Sequence, residues 1–205
     1  TPLYSSAASD VYKRQAYDGS SFEEIATTSL QPTSLVSFAG DLYFSAYDSN
    51  WSKGTFWKVT GNGVTEAVDT RFNHGWGTSG VDPTDLVVYK GKLYAFGYVG
   101  RNEKSVLQFD GTSFVDLRVI TSQPNLSFIN SFAVYNDKLY LMSETNSDVQ
   151  KLHEFDGTNL VESLYSQSYL HKYSLLESIR TINSSLYLAR RDYVADQVDL
   201  FKYPQ

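Results

Sequence analysis

Asp41-Leu42-Tyr43-Phe44 recurs as Lys92-Leu93-Tyr94-Ala95, Lys138-Leu139-Tyr140-Leu141 and Ser185-Leu186-Tyr187-Leu188. Each copy follows a short apolar run and a two-residue link: Ala39-Gly40, Lys90-Gly91, Asn136-Asp137 and Asn183-Ser184. These links use residues that tolerate the positive φ a two-residue hairpin demands. The four leucines stand 51, 46 and 47 residues apart. A period near fifty, with several short strands in each unit, predicts a radial array of four-stranded sheets, that is, an all-β propeller.

Working outward from the first copy, 34–39 and 42–47 predict the first two strands of a sheet. A third is expected over 55–60 and a fourth over 64–69. The same reading gives full blades over 33–69, 84–119 and 130–165, the second ending in a strand over 113–119. It gives a half blade over 16–28 and a partial blade over 175–205 that lacks its fourth strand. About four blades are visible, and they are expected to form an open arc of a larger propeller. In that reading 21–27 pairs within its own half blade and not with 198–203. The segment 70–83 reads as a long loop.

The turns sort by position. Asn62-Gly63, Asp110-Gly111 and Asp156-Gly157 link third to fourth strands as tightly as the first set links first to second. In an up-and-down blade these two sets share one end. All variation in length and composition therefore falls at the other end, and loops on a rigid scaffold are where function usually sits.

The sequence has 205 residues, 17 basic and 23 acidic, for a net charge of −6. Such a chain is a poor partner for nucleic acid. No run approaches the roughly 18 consecutive apolar residues of a membrane helix, so no membrane insertion is expected. There is no cysteine, which removes disulfides and thiolate metal sites. Ser5 to Gln15 resembles the translation, in one reading frame, of a transposase adapter used for DNA sequencing libraries. That resemblance implies that residues 1–15 are not native, that the natural chain begins at or before Ala16, and that the lack of a leader carries no information.

The repeat resembles β-propeller repeats of the kelch-like kind. It is more closely similar to a repeat of bacterial secreted and surface proteins, Gly-x-Leu-Tyr-Phe-x-Ala followed by Glu-Leu-Trp-x-x-Asp-Gly. Gly40-Asp41-Leu42-Tyr43-Phe44-Ser45-Ala46 with Phe56-Trp57-Lys58-Val59-Thr60-Gly61 is the best match. The later copies keep Asp110-Gly111 and Asp156-Gly157 but place Leu107 and His153 where the first has Trp57. The kelch paired glycines are absent, so no kelch partner is carried over. These motifs are turn and packing signatures. Through them the resemblance implies an extracellular or cell-surface module and is silent on chemistry.

Catalytic signatures are missing. No Gly-x-Ser-x-Gly elbow occurs, and the three histidines, His74, His153 and His171, fall in separate repeats. Three scattered histidines predict no zinc site. Asp48-Ser49-Asn50 and Asn146-Ser147-Asp148 are partial calcium-loop patterns that read as solvated hairpins. No phosphate loop is present, and no cofactor is expected. The variable-loop end carries Trp51, His74, Trp76, Arg101, Tyr169, His171, Arg190, Arg191 and Tyr193. Aromatic planes beside hydrogen-bonding groups suit carbohydrate or protein partners. The expectation is a non-catalytic binding or scaffold module. The alternative is a polysaccharide-active enzyme using two carboxylates at the same end. The four tyrosines of the recurring phrase are expected to pack between blades.

Overall fold

The computed structural model describes residues 13–17, 22–27, 31–47, 54–59, 65–68, 71–73, 78–80, 84–99, 103–123, 131–144, 150–163, 174–192 and 196–203. The described chain is all-β apart from one short helix. Three sheets have four strands each, in sequence order. The first is β3 (Gln31–Phe38), β4 (Asp41–Tyr47), β5 (Gly54–Val59) and β6 (Thr65–Val68). The second is β9 (Thr84–Tyr89), β10 (Lys92–Val99), β11 (Glu103–Phe109) and β12 (Phe114–Asp116). The third is β13 (Ser131–Tyr135), β14 (Lys138–Glu144), β15 (Gln150–Phe155) and β16 (Leu160–Glu162). A fourth sheet has three strands, β17 (Ser174–Ile182), β18 (Ser185–Asp192) and β19 (Gln197–Lys202). Up-and-down antiparallel sheets of this size, repeated with the leucine-tyrosine phrase always on the second strand, are β-propeller blades.

β1 (Lys13–Tyr17) pairs with β2 (Phe22–Thr27) as a separate two-stranded sheet, with Tyr17 opposite Phe22. β1 thus begins before Ala16 and runs across the boundary drawn from the adapter resemblance. Two expectations need correction. The segment 70–83 is not all loop, because β7 (Arg71–Asn73) and β8 (Thr78–Gly80) pair antiparallel. The fourth strand of the second sheet stops at Asp116, and Leu117–Thr121 is a helix, α1. Asp116 turns the chain because its side chain accepts the Arg118 N–H, at 2.8 Å, as an N-cap.

The chain forms two compact units, Thr1–Gly100 with Gln108–Phe114 and Arg101–Leu107 with Val115–Gln205. In the first, Leu42, Phe44 and Val59 form one buried cluster with Trp57 packed against it. Tyr43 and Phe56 alternate with those residues and stack at 5.3 Å. Both faces of β4 are therefore covered, which is why its centre reads as an unbroken apolar run. In the second unit, Ala133, Tyr135, Tyr140, Met142 and Leu152 of one sheet close on Ile179, Leu186, Leu188 and Tyr203 of the next. No helix among the described residues is long and apolar enough to cross a membrane.

Each unit ties its sheets with the same device. The Leu86 N–H donates to Ser34 Oγ at 3.0 Å, and the Ile179 N–H donates to Ser131 Oγ at 3.0 Å. Ser34 and Ser131 lie at one register slot, opposite the third residue after the phrase leucine (Ser45 and Met142).

Candidate functional site

One end of the described blades is closed by short turns. There the first-to-second strand turns place consecutive residues in the left-handed region: Ala39 and Gly40, Lys90 and Gly91, Asn136 (φ 45°) and Asp137 (φ 55°), Asn183 and Ser184. That is the backbone of a two-residue hairpin matched to strand twist. The third-to-fourth strand turns are closed by aspartates. Asp110 Oδ1 accepts from the Thr112 and Ser113 N–H groups at 2.9 and 3.0 Å and from the Thr112 hydroxyl at 2.7 Å. Those bonds hold its carboxyl down at about 2. Asp156 repeats the motif with the Thr158 and Asn159 N–H groups at 2.8 and 2.7 Å. Asn62-Gly63 lies outside the described residues.

Of the residues expected at the variable-loop end, Trp51, His74, Trp76, Arg101, Tyr169, His171 and Tyr193 lie outside the described residues. Arg190 and Arg191 are described, and the structure does not bring them together. As neighbours on β18 they point to opposite faces of the sheet. Arg191 is exposed. Arg190 is not an open binding group: its side chain is only 14% exposed, its Nη2 donates to Asp199 Oδ2 at 2.7 Å, and its guanidinium lies 4.6 Å over the Phe201 ring. An ion pair and a cation–π contact fix it in one orientation.

Sequence reading missed a second polar group. Ser143 and His153 are both buried, and Ser143 Oγ lies 2.8 Å from His153 Nε2. Among the described residues His153 Nδ1 is buried with no hydrogen-bond partner. Burial lowers the imidazole to about 4, with Lys151 lowering it further and Glu162 opposing. His153 is therefore neutral at pH 7. Glu162 is directly opposite His153 on β16 but its carboxylate is taken by Lys151 Nζ at 2.6 Å. A signal for this pair exists in the repeat. His153 replaces the Trp57 of the first copy, and Ser143 stands where that copy has Ala46. Two departures that lie diagonally on one face of adjacent strands mark a contact.

A third polar group caps α1. The buried Asp116 accepts from Ser105 Oγ at 2.7 Å and pairs with Arg118 Nη2 at 2.7 Å. Among the described residues no group of three or more His, Cys, Asp or Glu converges in a way that could hold a metal ion. The arrangement supplies anchored hydrogen-bonding and stacking groups.

No family model and no curated protein matches this sequence. Among solved structures the chain is similar to Zg3597, a family 117 glycoside hydrolase of the marine bacterium Zobellia galactanivorans. That likeness has a TM-score of 0.42 at 13% identity, over 72% of this chain and 53% of the other. It is also similar to apo AztD from Citrobacter koseri, with a TM-score of 0.37 at 10% identity, over 87% of this chain and 49% of the other. The chain spans about half the length of each. Likenesses at these scores bear on neither ligand nor reaction.

Proposed function

We propose that the chain is a non-catalytic β-propeller binding or scaffold module that takes carbohydrate or protein partners at its variable-loop end. The observation that carries this reading is the asymmetry of the blades. One end is closed by short, self-satisfied turns. Toward the other lies the exposed Arg191, on a strand whose neighbouring Arg190 is locked to Asp199. A charged group on a rigid, paired strand suits recognition, because little backbone freedom remains to be lost on binding. The acidic chain does not suit nucleic acid. The resemblance of its repeats to secreted and surface proteins supports action outside the cell or on its surface.

The test is a glycan array together with capture from surface extracts, each repeated with Arg191→Ala. Arg191 is exposed, so its loss should leave the melting temperature unchanged while weakening a captured partner about tenfold or more. Partner binding that is insensitive to Arg191 would refute the assignment. Release of reducing sugar from a polysaccharide panel would favour the enzyme reading.

A further inference from the structure

The fourth sheet repeats the pattern of the third but leaves one face open. On the third sheet, Tyr140 and Leu152 are 4% and 1% exposed beneath Ile179, Leu186, Leu188 and Tyr203. The matching face of the fourth carries Tyr187 and Leu200, with Ile182 and Val198 beside them. Ile182, Val198 and Leu200 are 53%, 54% and 68% exposed. Arg180, Arg191 and Lys202 share that face and are exposed, so it mixes cations with three exposed aliphatic side chains, and such apolar exposure marks an interaction site.

Three register slots say what covers it. Ser178 is opposite Ala189, the third residue after the phrase leucine, and so holds the slot of Ser34 and Ser131. In both other cases that serine accepts a backbone N–H from the first strand of the following sheet. Tyr187 holds the slot of Tyr43 and Tyr140. Those rings are met edge-on by a residue at the end of a following third strand, Phe109 at 5.8 Å and Tyr203 at 5.2 Å. Lys202 is opposite Tyr187, as Lys58 is opposite Tyr43 and Glu154 opposite Tyr140. Where the slot is Glu154 the incoming ring is a tyrosine that bonds it; where the slot is Lys58 the ring is a phenylalanine.

We infer that this face is a docking surface for a further blade-type β-sheet, carried outside these 205 residues. The docked sheet places a first-strand N–H on Ser178, aliphatic second-strand side chains on Ile182 and Leu200, and a ring without a hydroxyl on Tyr187. A second copy of this chain is a poor occupant. Its faces of the required type, built on Leu42, Phe44 and Val59 and on Ile179, Leu186 and Leu188, are already buried. Arg191 is opposite Val198 on this same face, so the face shares that residue with the loop-end reading above; the thiol rate below needs no loop-end partner and tests the inference separately.

The chain has no cysteine, so Leu200→Cys places a single reporter thiol on the face without disturbing the core. Its reaction with dithiobis(nitrobenzoate) is compared in two proteins. One is the chain itself. The other is the chain extended after Gln205 by a second copy of residues 164–203, with the last tyrosine of the added copy changed to phenylalanine. The thiol should react fast in the first and about tenfold or more slowly in the second, as a docked sheet shields it. Adding Ser178→Ala to the extended chain should restore the rate about threefold. Equal rates in the two proteins would overturn the inference. So would slow reaction in the unextended chain with a dimer mass by light scattering, which would give the face to a second copy.

Discussion

The joint around Tyr43 and the joint around Tyr140 are built on one register and differ in chemistry. The first is dry. Phe38, Phe56, Phe109 and Phe114 surround the Tyr43 side, with Phe109 centred 5.6 Å from Phe56 and 4.7 Å from Phe114. The second is polar at its centre. Tyr203 donates its hydroxyl to Glu154 at 2.9 Å and shares a 2.9 Å bond with Ser163, while Lys138 Nζ holds the other carboxylate oxygen at 2.6 Å. Burial alone would raise Glu154, but the bonds from Lys138, Tyr203 and Ser163 outweigh it and leave the carboxyl below its ordinary value. Burial pushes the Tyr203 phenol well up, with Ser163 opposing and Glu154 reinforcing. The backbone slot thus fixes where two sheets meet and leaves open how they hold together. Ring area serves in one case, and a satisfied half-buried carboxylate in the other.

The comparison can be broken most severely in the dry joint. Phe109→Ala should cost about 3–5 kcal/mol, since it leaves a cavity among rings that cannot close over it. Leu139→Ala, at a fully buried position of the polar-jointed sheet, should cost about 2–5 kcal/mol. Both are read by denaturant melts, and a loss below about 1 kcal/mol in either would contradict two-sided burial.

Acid acts next on the two faces of β15, where the neighbours His153 and Glu154 point opposite ways. The folded His153 value of about 4 lies below its ordinary 6.5. Its unfolded state binds the proton first, so stability is intact above 6.5 and falls as pH drops toward 4. The loss is about 2–3 kcal/mol. Glu154 is also depressed in the fold, so its contribution is present above its ordinary 4.5 and disappears as pH falls through its folded value. Melts of His153→Gln carried from pH 7.5 down to about pH 3 should lose the step between 6.5 and 4 and keep the Glu154 step below 4.5. A wild-type stability that is flat from pH 7 to 4 would refute the His153 assignment, and one that stays flat on further acidification below 4.5 would refute that of Glu154.

Tyr203→Phe turns the polar joint toward the dry type while keeping its ring. It should cost about 1–2 kcal/mol, because Glu154 and Ser163 each lose a buried partner. The smallest effect is expected for Lys138→Met. The lysine side chain is 44% exposed, and half-exposed ion pairs contribute about 0–1 kcal/mol. A double-mutant cycle with Tyr203→Phe would show whether the lysine and the tyrosine support the carboxylate jointly.

What was legible in the sequence was local. Asn136-Asp137 and Asn183-Ser184 announce left-handed turns because the residues that tolerate positive φ are adjacent in the chain. Leu-Tyr announces a strand covered on both faces by its lack of alternation. The helix after Asp116 was misread because Phe114-Val115-Asp116-Leu117 alternates like a strand. What ends the strand is a buried carboxylate bound to Ser105 and Arg118, and the serine is eleven residues back. Tyr203 and Glu154 are 49 residues apart, and no period in the sequence points from one to the other. Arg190 was placed at an open face because its charge was visible and its cross-strand neighbours Asp199 and Phe201 were not.

The serine tie between sheets also sets how each unit yields to force. Within a sheet, neighbouring strands share a whole ladder: β14 and β15 pair at six positions from Leu139–Phe155 to Glu144–Gln150. Between the first strands of adjacent sheets no backbone ladder is shared: a serine hydroxyl takes an amide at Ser34 and at Ser131, and at the second seam Thr181 Oγ1 also donates to the Val134 carbonyl at 2.6 Å. A pull along the chain therefore meets its weakest resistance at the serine seams. Sheets should part from one another whole, as beads on a string, before any hairpin unzips.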